Sequence, residues 1–454
     1  MWSRGGVQAP DRRRSVVLAA VLTVLTARGG QGAEPGYEIS VGLAESDNVA
    51  RVATNEKSDT IVTEGLALSW HELRPRLQAD VDGDVDYLEY LKHTVGNEVI
   101  GNFLGQARFA LAPDILFWHA SDNFGQGLID PLAADNPENR ENINYFSTGP
   151  ELMLPLGATT FVDVKANYGK VSYQTGPLDS QRADGSIALI RRISQDSAVS
   201  VNVRDERVDF SDDVTNPDYS RQDGFLHYDT RNSRTTVYVD LGYSRLLEPA
   251  TTRSGVLARF DISRKVSPSS TVGLSLGHQF SDASDAFRLE QTLGGANLNT
   301  QTAQQQSGVP FTSNYASLSW NFERSRTGFG ISADYFKESY PQPSTLNDQR
   351  EQLTAHVSRK LTPTLQVSLQ EQYFSQQFQE LVGNSSETIT GLQLSWQAAQ
   401  HLRVVFDAQR ANRHSDLRDT DFAEDRLWVR VAYGRQAVLP AGPAKPPLPG
   451  ELLK

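Results

Sequence analysis

Apolar and polar residues alternate along most of this chain with a period of two, the spacing that gives a β-strand one apolar and one polar face. One phrase is written three times: Leu66-Ala67-Leu68-Ser69-Trp70, Ala316-Ser317-Leu318-Ser319-Trp320 and Leu392-Gln393-Leu394-Ser395-Trp396. In the first strand Tyr37, Ile39, Val41 and Leu43 oppose Glu38, Ser40, Gly42 and Ala44. Further along, Val199, Val201 and Val203 oppose Ser200, Asn202 and Arg204, and Phe329, Ile331, Ala333 and Tyr335 oppose Gly330, Ser332 and Asp334. Leu365, Val367 and Leu369 oppose Gln366, Ser368 and Gln370, and the last strand presents Leu427, Val429, Val431 and Tyr433. The segments predict about 18–20 strands, and an even number puts both chain ends on one side of a closed sheet.

The links between strands come in two kinds. Tight-turn signals occur at 73–75, 112–114, 155–157, 194–196, 231–233, 267–269, 324–326, 362–364 and 398–400, five of them holding a proline, which cannot donate to a ladder. Three of these turns follow a basic phrase: Arg191-Arg192-Ile193-Ser194, Arg264-Lys265-Val266-Ser267 and Arg359-Lys360-Leu361-Thr362. Long polar links, 125–142, 174–183, 211–222, 281–313, 338–350, 375–386 and 411–425, alternate with them. That asymmetry predicts an all-β fold, a single transmembrane antiparallel up-and-down β-barrel with short periplasmic turns and long extracellular loops. Trp70, Trp320 and Trp396 each precede a short turn and are expected at the periplasmic membrane boundary, where indole is favoured. The alternative is a soluble β-protein whose core strands end in Trp.

The most informative strand has Leu77, Ala79, Val81, Val85 and Tyr87 on one face, with Gln78, Asp80, Asp82, Asp84 and Asp86 on the other. Burying unpaired carboxylates in a dry core is too costly, so the four aspartates face water or cations. In a barrel they line the lumen, together with Asn202, Arg204, Asp334, Gln366, Ser368 and Gln370. A calcium loop reads poorly here, because the acids have period two and no glycine turn or closing glutamate. At this strand number the interior is too wide for strand side chains to fill, and it holds water or a plug.

Composition narrows the compartment. Arg12, Arg13 and Arg14, the apolar stretch 16–26 and small residues to Ala33 read as an export signal over 1–33, leaving the barrel in 34–438 and a Pro-rich tail in 439–454. Cysteine is absent, which excludes disulfides, thiolate metal sites and a lipoprotein anchor. No stretch is apolar for the 18–20 residues of a membrane helix. The net charge is −12, and losing 1–33 removes five Arg and one Asp, so nucleic acid is not an expected partner. The eight histidines form no His-x-x-x-His or His-Glu-x-x-His pair, and no nucleophile elbow or phosphate loop appears. No metal, cofactor or catalytic residue is therefore expected, and the chain does not read as an enzyme.

The Ser46-Asp47-Asn48-Val49 segment after the first strand, with the Leu-x-Leu-Ser-Trp strands and their basic turns, resembles the β-barrel porin-2 family over nearly all of the mature chain. That resemblance implies a Gram-negative outer-membrane protein, often associated with exopolysaccharide and PEP-CTERM/exosortase gene clusters. It implies a bilayer and lipopolysaccharide environment, the barrel-assembly machinery, and polysaccharide-secretion proteins as partners. The expected function is a passive channel for a polysaccharide or its fragments. Gln301, Gln304, Gln305 and Gln306 in the 281–313 loop suit such hydroxyl-rich solutes. The competing expectation is a non-conducting scaffold barrel that binds an envelope or assembly partner through its loops or tail.

Overall fold

The computed structural model describes residues 36–435 except 177, 213, 295–306, 342–343, 379–382 and 417–419. The expected export signal over 1–33, the tail 439–454 and the four glutamines of the 281–313 link lie outside the described residues.

Twenty strands form one sheet. The first ten are β1 Gly36–Ser46, β2 Asp59–Leu73, β3 Leu77–Tyr90, β4 Glu98–Ala112, β5 Leu116–Leu128, β6 Arg140–Pro155, β7 Thr160–Tyr173, β8 Ser180–Arg192, β9 Ser197–Phe210 and β10 Tyr219–Arg231. The rest are β11 Thr235–Leu247, β12 Thr252–Ser267, β13 Ser270–Ser281, β14 Phe311–Arg324, β15 Thr327–Ser339, β16 Asp348–Lys360, β17 Leu365–Phe378, β18 Asn384–Ala399, β19 Leu402–Ser415 and β20 Phe422–Arg435. A helix, α1, spans Ala283–Gly294. Each strand pairs antiparallel with the next, and β1 closes the sheet on β20 with Ile39 opposite Tyr433 and Val41 opposite Val431. Closure leaves no unpaired edge.

All nine short links predicted from the sequence lie at one end of the barrel, which also carries Gly36 and Arg435. The other end carries the long links, with one departure from strict alternation. The β11–β12 link is only 248–251, closed by the Thr251 N–H donating to the Glu248 carbonyl at 3.3 Å. Local chemistry shapes the short turns: the Asn232 side chain accepts from the N–H groups of Arg234 and Thr235 at 3.0 and 2.8 Å.

The polarity of the two faces inverts partway along the strands. On β9 the outward residues nearest the short turn are Val199, Val201 and Val203, the last two 53% and 62% exposed. Continuing outward along the same face come Asp205, Arg207 and Asp209, while Val208 and Phe210 are buried inside. β7 repeats this with Lys170 outside and Val171 and Tyr173 buried inside, and β20 with Asp425 outside and Phe422 inside. Near the short turns these strands are therefore apolar outside, and near the long loops they bury apolar residues inside. The lower inner wall also holds an apolar cluster with Phe117, Met153, Phe161 and Ile190, and the upper inner wall the charges of Arg182, Glu206 and Arg221. The lower belt continues through Ile39, Val41, Leu43, Leu189, Leu226, Leu318, Leu392, Val429 and Val431, all exposed. An exposed apolar surface this continuous requires a hydrocarbon neighbour, whereas the upper half is built like a water-soluble protein.

The belt sets a depth scale. Val201→Arg is expected to cost about 2–4 kcal/mol, and Trp320→Arg at the short-turn margin at most about 1 kcal/mol. Urea unfolding of the barrel reconstituted in vesicles checks this; equal costs at the two positions would contradict the depth assigned to the belt.

Candidate functional site

The strand period that turns Val81, Val85 and Tyr87 outward turns Asp80, Asp82, Asp84 and Asp86 inward from one wall. Asn202 and Arg204 of β9, Asp334 of β15, and Gln366, Ser368 and Gln370 of β17 share the inner face at other points around the barrel. They surround one space and do not form one cluster. The acidic strand meets partners on its neighbours. Arg430 of β20 donates to Asp86 at 3.1 Å, and His71 of β2 lies 2.5 Å from Asp80 and 3.5 Å from Asp82. Arg204 contacts Glu206 at 3.2 Å and Asp184 at 3.6 Å, and Asn202 donates to the Ser200 hydroxyl at 2.9 Å. Outside the wall, the Trp320 indole donates to the Ser270 hydroxyl at 2.7 Å. Trp70 and Trp396 also point outward near short turns.

Above the polar wall the space is crossed by α1, which leaves the end of β13 and turns into the barrel. Asp282 caps it, its side chain accepting from the Asp285 N–H at 2.9 Å. Ala283, Ala286, Phe287, Glu290 and Gln291 follow the helical period. Phe287 is buried in an apolar cluster with Ile143, Tyr145, Val171, Val208 and Phe210, which are the inward apolar residues of the upper wall. Ala286 packs on the other side against Phe311 and Tyr340. Gly125 on β5 lets the helix approach, since a Cβ there would meet Gln291 Nε2 at 2.5 Å and the Phe287 ring at 3.3 Å.

Charges pin both ends of α1. Arg182 of β8 pairs with Asp282 and lies 3.6 Å from Asp285. Arg221 of β10 donates to Asp285 at 3.0 Å and to Glu206 at 2.5 Å, and the Tyr219 hydroxyl donates to Asp282 at 2.8 Å. At the far end Arg350 of β16 donates to Glu290 at 2.6 Å, while Gln291 donates to the Phe124 carbonyl of β5 at 2.9 Å. One helix thus touches β5, β8, β10 and β16, so it spans the mouth instead of lining one wall.

The remaining sector is covered by two more loops. Ala134 in the β5–β6 loop is buried against Ala411 and Phe422, and the Leu132 carbonyl accepts from Arg413 at 2.9 Å. Arg51 in the β1–β2 loop donates to Glu424 at 2.8 Å and to the Asp135 carbonyl at 2.8 Å, tying both loops to β20. Burial alone would lower the pKa of Arg51, but Glu424, Glu387 and Asp135 hold it above its ordinary value.

Burial by itself would raise the pKa of Asp285, but the guanidiniums of Arg221, Arg182 and Arg288 outweigh it and hold the carboxyl well below the usual carboxylate range. A depressed folded-state value gives stability that is present above the ordinary value of about 4 and is lost only as pH falls through the lowered one. Moving from pH 7 to pH 5 should therefore leave α1 docked. Protease accessibility of the 282–310 loop at the two pH values checks this, and release at pH 5 would mean a different group controls the helix.

Three features escape a reading along the chain. The 281–313 link looks only polar, although the 283–294 stretch has an apolar face at helical spacing. The upper inner wall is apolar where simple alternation expects polar residues. His71, Asp80 and Asp82 meet only across a strand pair, a meeting that the symmetric placement of 71 and 80 about the 74–76 turn could have signalled.

No family model matches the sequence, and no curated protein matches it. Among solved structures, the siderophore receptor PirA from Acinetobacter baumannii is similar over 89% of this chain and 81% of its own, with 10% identity and a TM-score of 0.46. The ferric enterobactin receptor PfeA from Pseudomonas aeruginosa is similar over 89% of this chain and 81% of its own, with 9% identity and a TM-score of 0.44. Acinetobacter baumannii OccAB4 is similar over 89% of this chain and 99% of its own, with 12% identity and a TM-score of 0.35. At these identities and scores the cargo of this chain is left to its own site.

Proposed function

We propose that the chain is a Gram-negative outer-membrane channel for a hydroxyl-rich solute, a polysaccharide or its fragments, with a mouth that α1 covers at rest. The observation that carries this reading is a closed barrel with an apolar belt around a lumen lined by carboxylates, amides and hydroxyls. Such a lumen can replace water around a sugar without burying an unmet polar group, because Gln, Asn and Ser both donate and accept. The sugar-export association comes from the resemblance to the β-barrel porin-2 family. Asp80, Asp82, Asp84 and Asp86, offset on this face by Arg430 at Asp86, favour neutral or cationic solutes over polyanions.

A second reading is a scaffold barrel that does not conduct. It is favoured by the same mouth, which α1 and the loops 47–58 and 129–139 cover. Planar-bilayer recording separates the two. The channel reading expects measurable conductance with cation preference, reduced when Asp80, Asp82, Asp84 and Asp86 are all changed to Asn, and reduced by added oligosaccharide. Absence of conductance under every voltage and loop variant would leave the scaffold reading.

A further inference from the structure

We propose that the inner face of the β2–β3 hairpin binds a divalent transition-metal ion of the zinc type between His71 Nε2 and Asp82 Oδ1. This proposal goes beyond the transport reading and does not depend on it. The register of the hairpin places His71 directly opposite Asp80, and the period of two puts Asp82 on the same face one step further along β3. The three side chains lie close enough to hold one ion.

The internal geometry distinguishes their roles. His71 Nδ1 lies 2.5 Å from Asp80 Oδ1, so this carboxylate fixes the ring and its tautomer. The other ring nitrogen, Nε2, then faces Asp82 Oδ1 across 3.5 Å. A carboxylate holding one nitrogen of a metal-binding histidine is the usual outer-shell arrangement. Zinc bonds of about 2.0–2.2 Å to nitrogen and oxygen at a tetrahedral angle put the two donor atoms about 3.4 Å apart, close to the spacing present here.

The surroundings of Asp82 favour a cation beside it. Asp82 Oδ1 is buried yet accepts no hydrogen bond, and among the described residues no lysine or arginine forms an ion pair with Asp82. Leaving a desolvated carboxylate oxygen without a donor is costly, and a bound cation removes that cost. Asp84 and Asp86 further along the same face add to the negative potential. The His71 side chain is 46% exposed beside the short 74–76 turn, which leaves the remaining coordination positions open to water. Imidazole with carboxylate suits zinc-like ions better than calcium, which prefers six or more oxygens. Asp80 would therefore be a positioning residue, and His71 and Asp82 the ligands.

The test is a zinc titration of the folded full chain in detergent, by calorimetry in competition with a chelator of known affinity. A single ion should bind, and both His71→Ala and Asp82→Asn should abolish it. Asp80→Asn should weaken it about 10–100-fold, the usual effect of losing an outer-shell partner. His71→Cys should restore binding that His71→Ala loses, and His356→Ala, at another inward imidazole, should leave it unchanged. Unheated gel migration of each variant verifies that the barrel is closed. No zinc binding by the wild-type chain would mean that His71 only bridges two carboxylates, and would overturn the proposal. Binding undiminished in the folded His71→Ala and Asp82→Asn variants would overturn it equally.

Discussion

Arg182→Ala should destabilise the folded mouth by about 3–5 kcal/mol, because it removes one partner of a buried charge network. Arg182 is 2% exposed, and the groups it serves, Asp282, Asp285 and Glu206, are buried as well. Arg221 can answer Asp285 and Glu206, but among the described residues Asp282 would keep only the Tyr219 hydroxyl and its capping contact. The uncompensated carboxylate should drive α1 off the wall before the barrel itself opens. The expected signature is a new low-urea transition together with protease cleavage in the 282–310 loop. Arg207→Ala is the matched control: it removes an ion pair with Asp209 at 2.8 Å on the exposed outer face, where solvent already screens both charges. A shift for Arg182→Ala no larger than that of the control would show that the network is not what holds α1.

Replacing 283–306 by a short Gly-Ser linker should raise single-channel conductance several-fold while leaving the barrel closed. α1 contacts walls on both sides of the lumen through Phe287, Ala286, Glu290 and Gln291, so deleting it removes matter from the lumen itself. The variant also exposes Ile143, Tyr145, Val171 and Val208 to lumen water, which should lower stability without changing strand pairing. Unchanged conductance with the linker in place would put the narrowest point elsewhere, the loops 47–58 and 129–139 being the next candidates. The two experiments differ in what they perturb: the first frees the helix electrostatically, the second removes it.

Strands, turns and the alternation of ends were legible in the residues themselves. A period of two is a local property, and Val199-Ser200-Val201-Asn202-Val203 states its two faces without any partner. Prolines in the 73–75, 112–114, 267–269 and 362–364 turns mark chain reversals for an equally local reason, the missing N–H. Once twenty strands with nine short links are read, closure with both ends together follows almost by counting. The inward orientation of Asp80, Asp82, Asp84 and Asp86 follows from the same rule.

What fills the lumen was decided only by the tertiary structure. The Arg182–Asp282 pair joins positions 100 residues apart, and Arg51–Glu424 joins positions 373 apart, contacts that exist only after the sheet has closed. Whether the 283–294 stretch forms a helix depends on the apolar upper wall it meets, since a 12-residue helix is marginal in water without such packing. The inversion of faces along β7, β9 and β20 likewise needs two facts at once: where the apolar belt stops and what covers the inside above it. His71, Asp80 and Asp82 make the same point at small scale. Residue type supplied the ligands, but the pairing register of β2 with β3 brought them together. Sequence determined what each strand could show on either face; closure of the barrel decided which side chains meet across it, because those contacts depend on distances that no local spacing encodes.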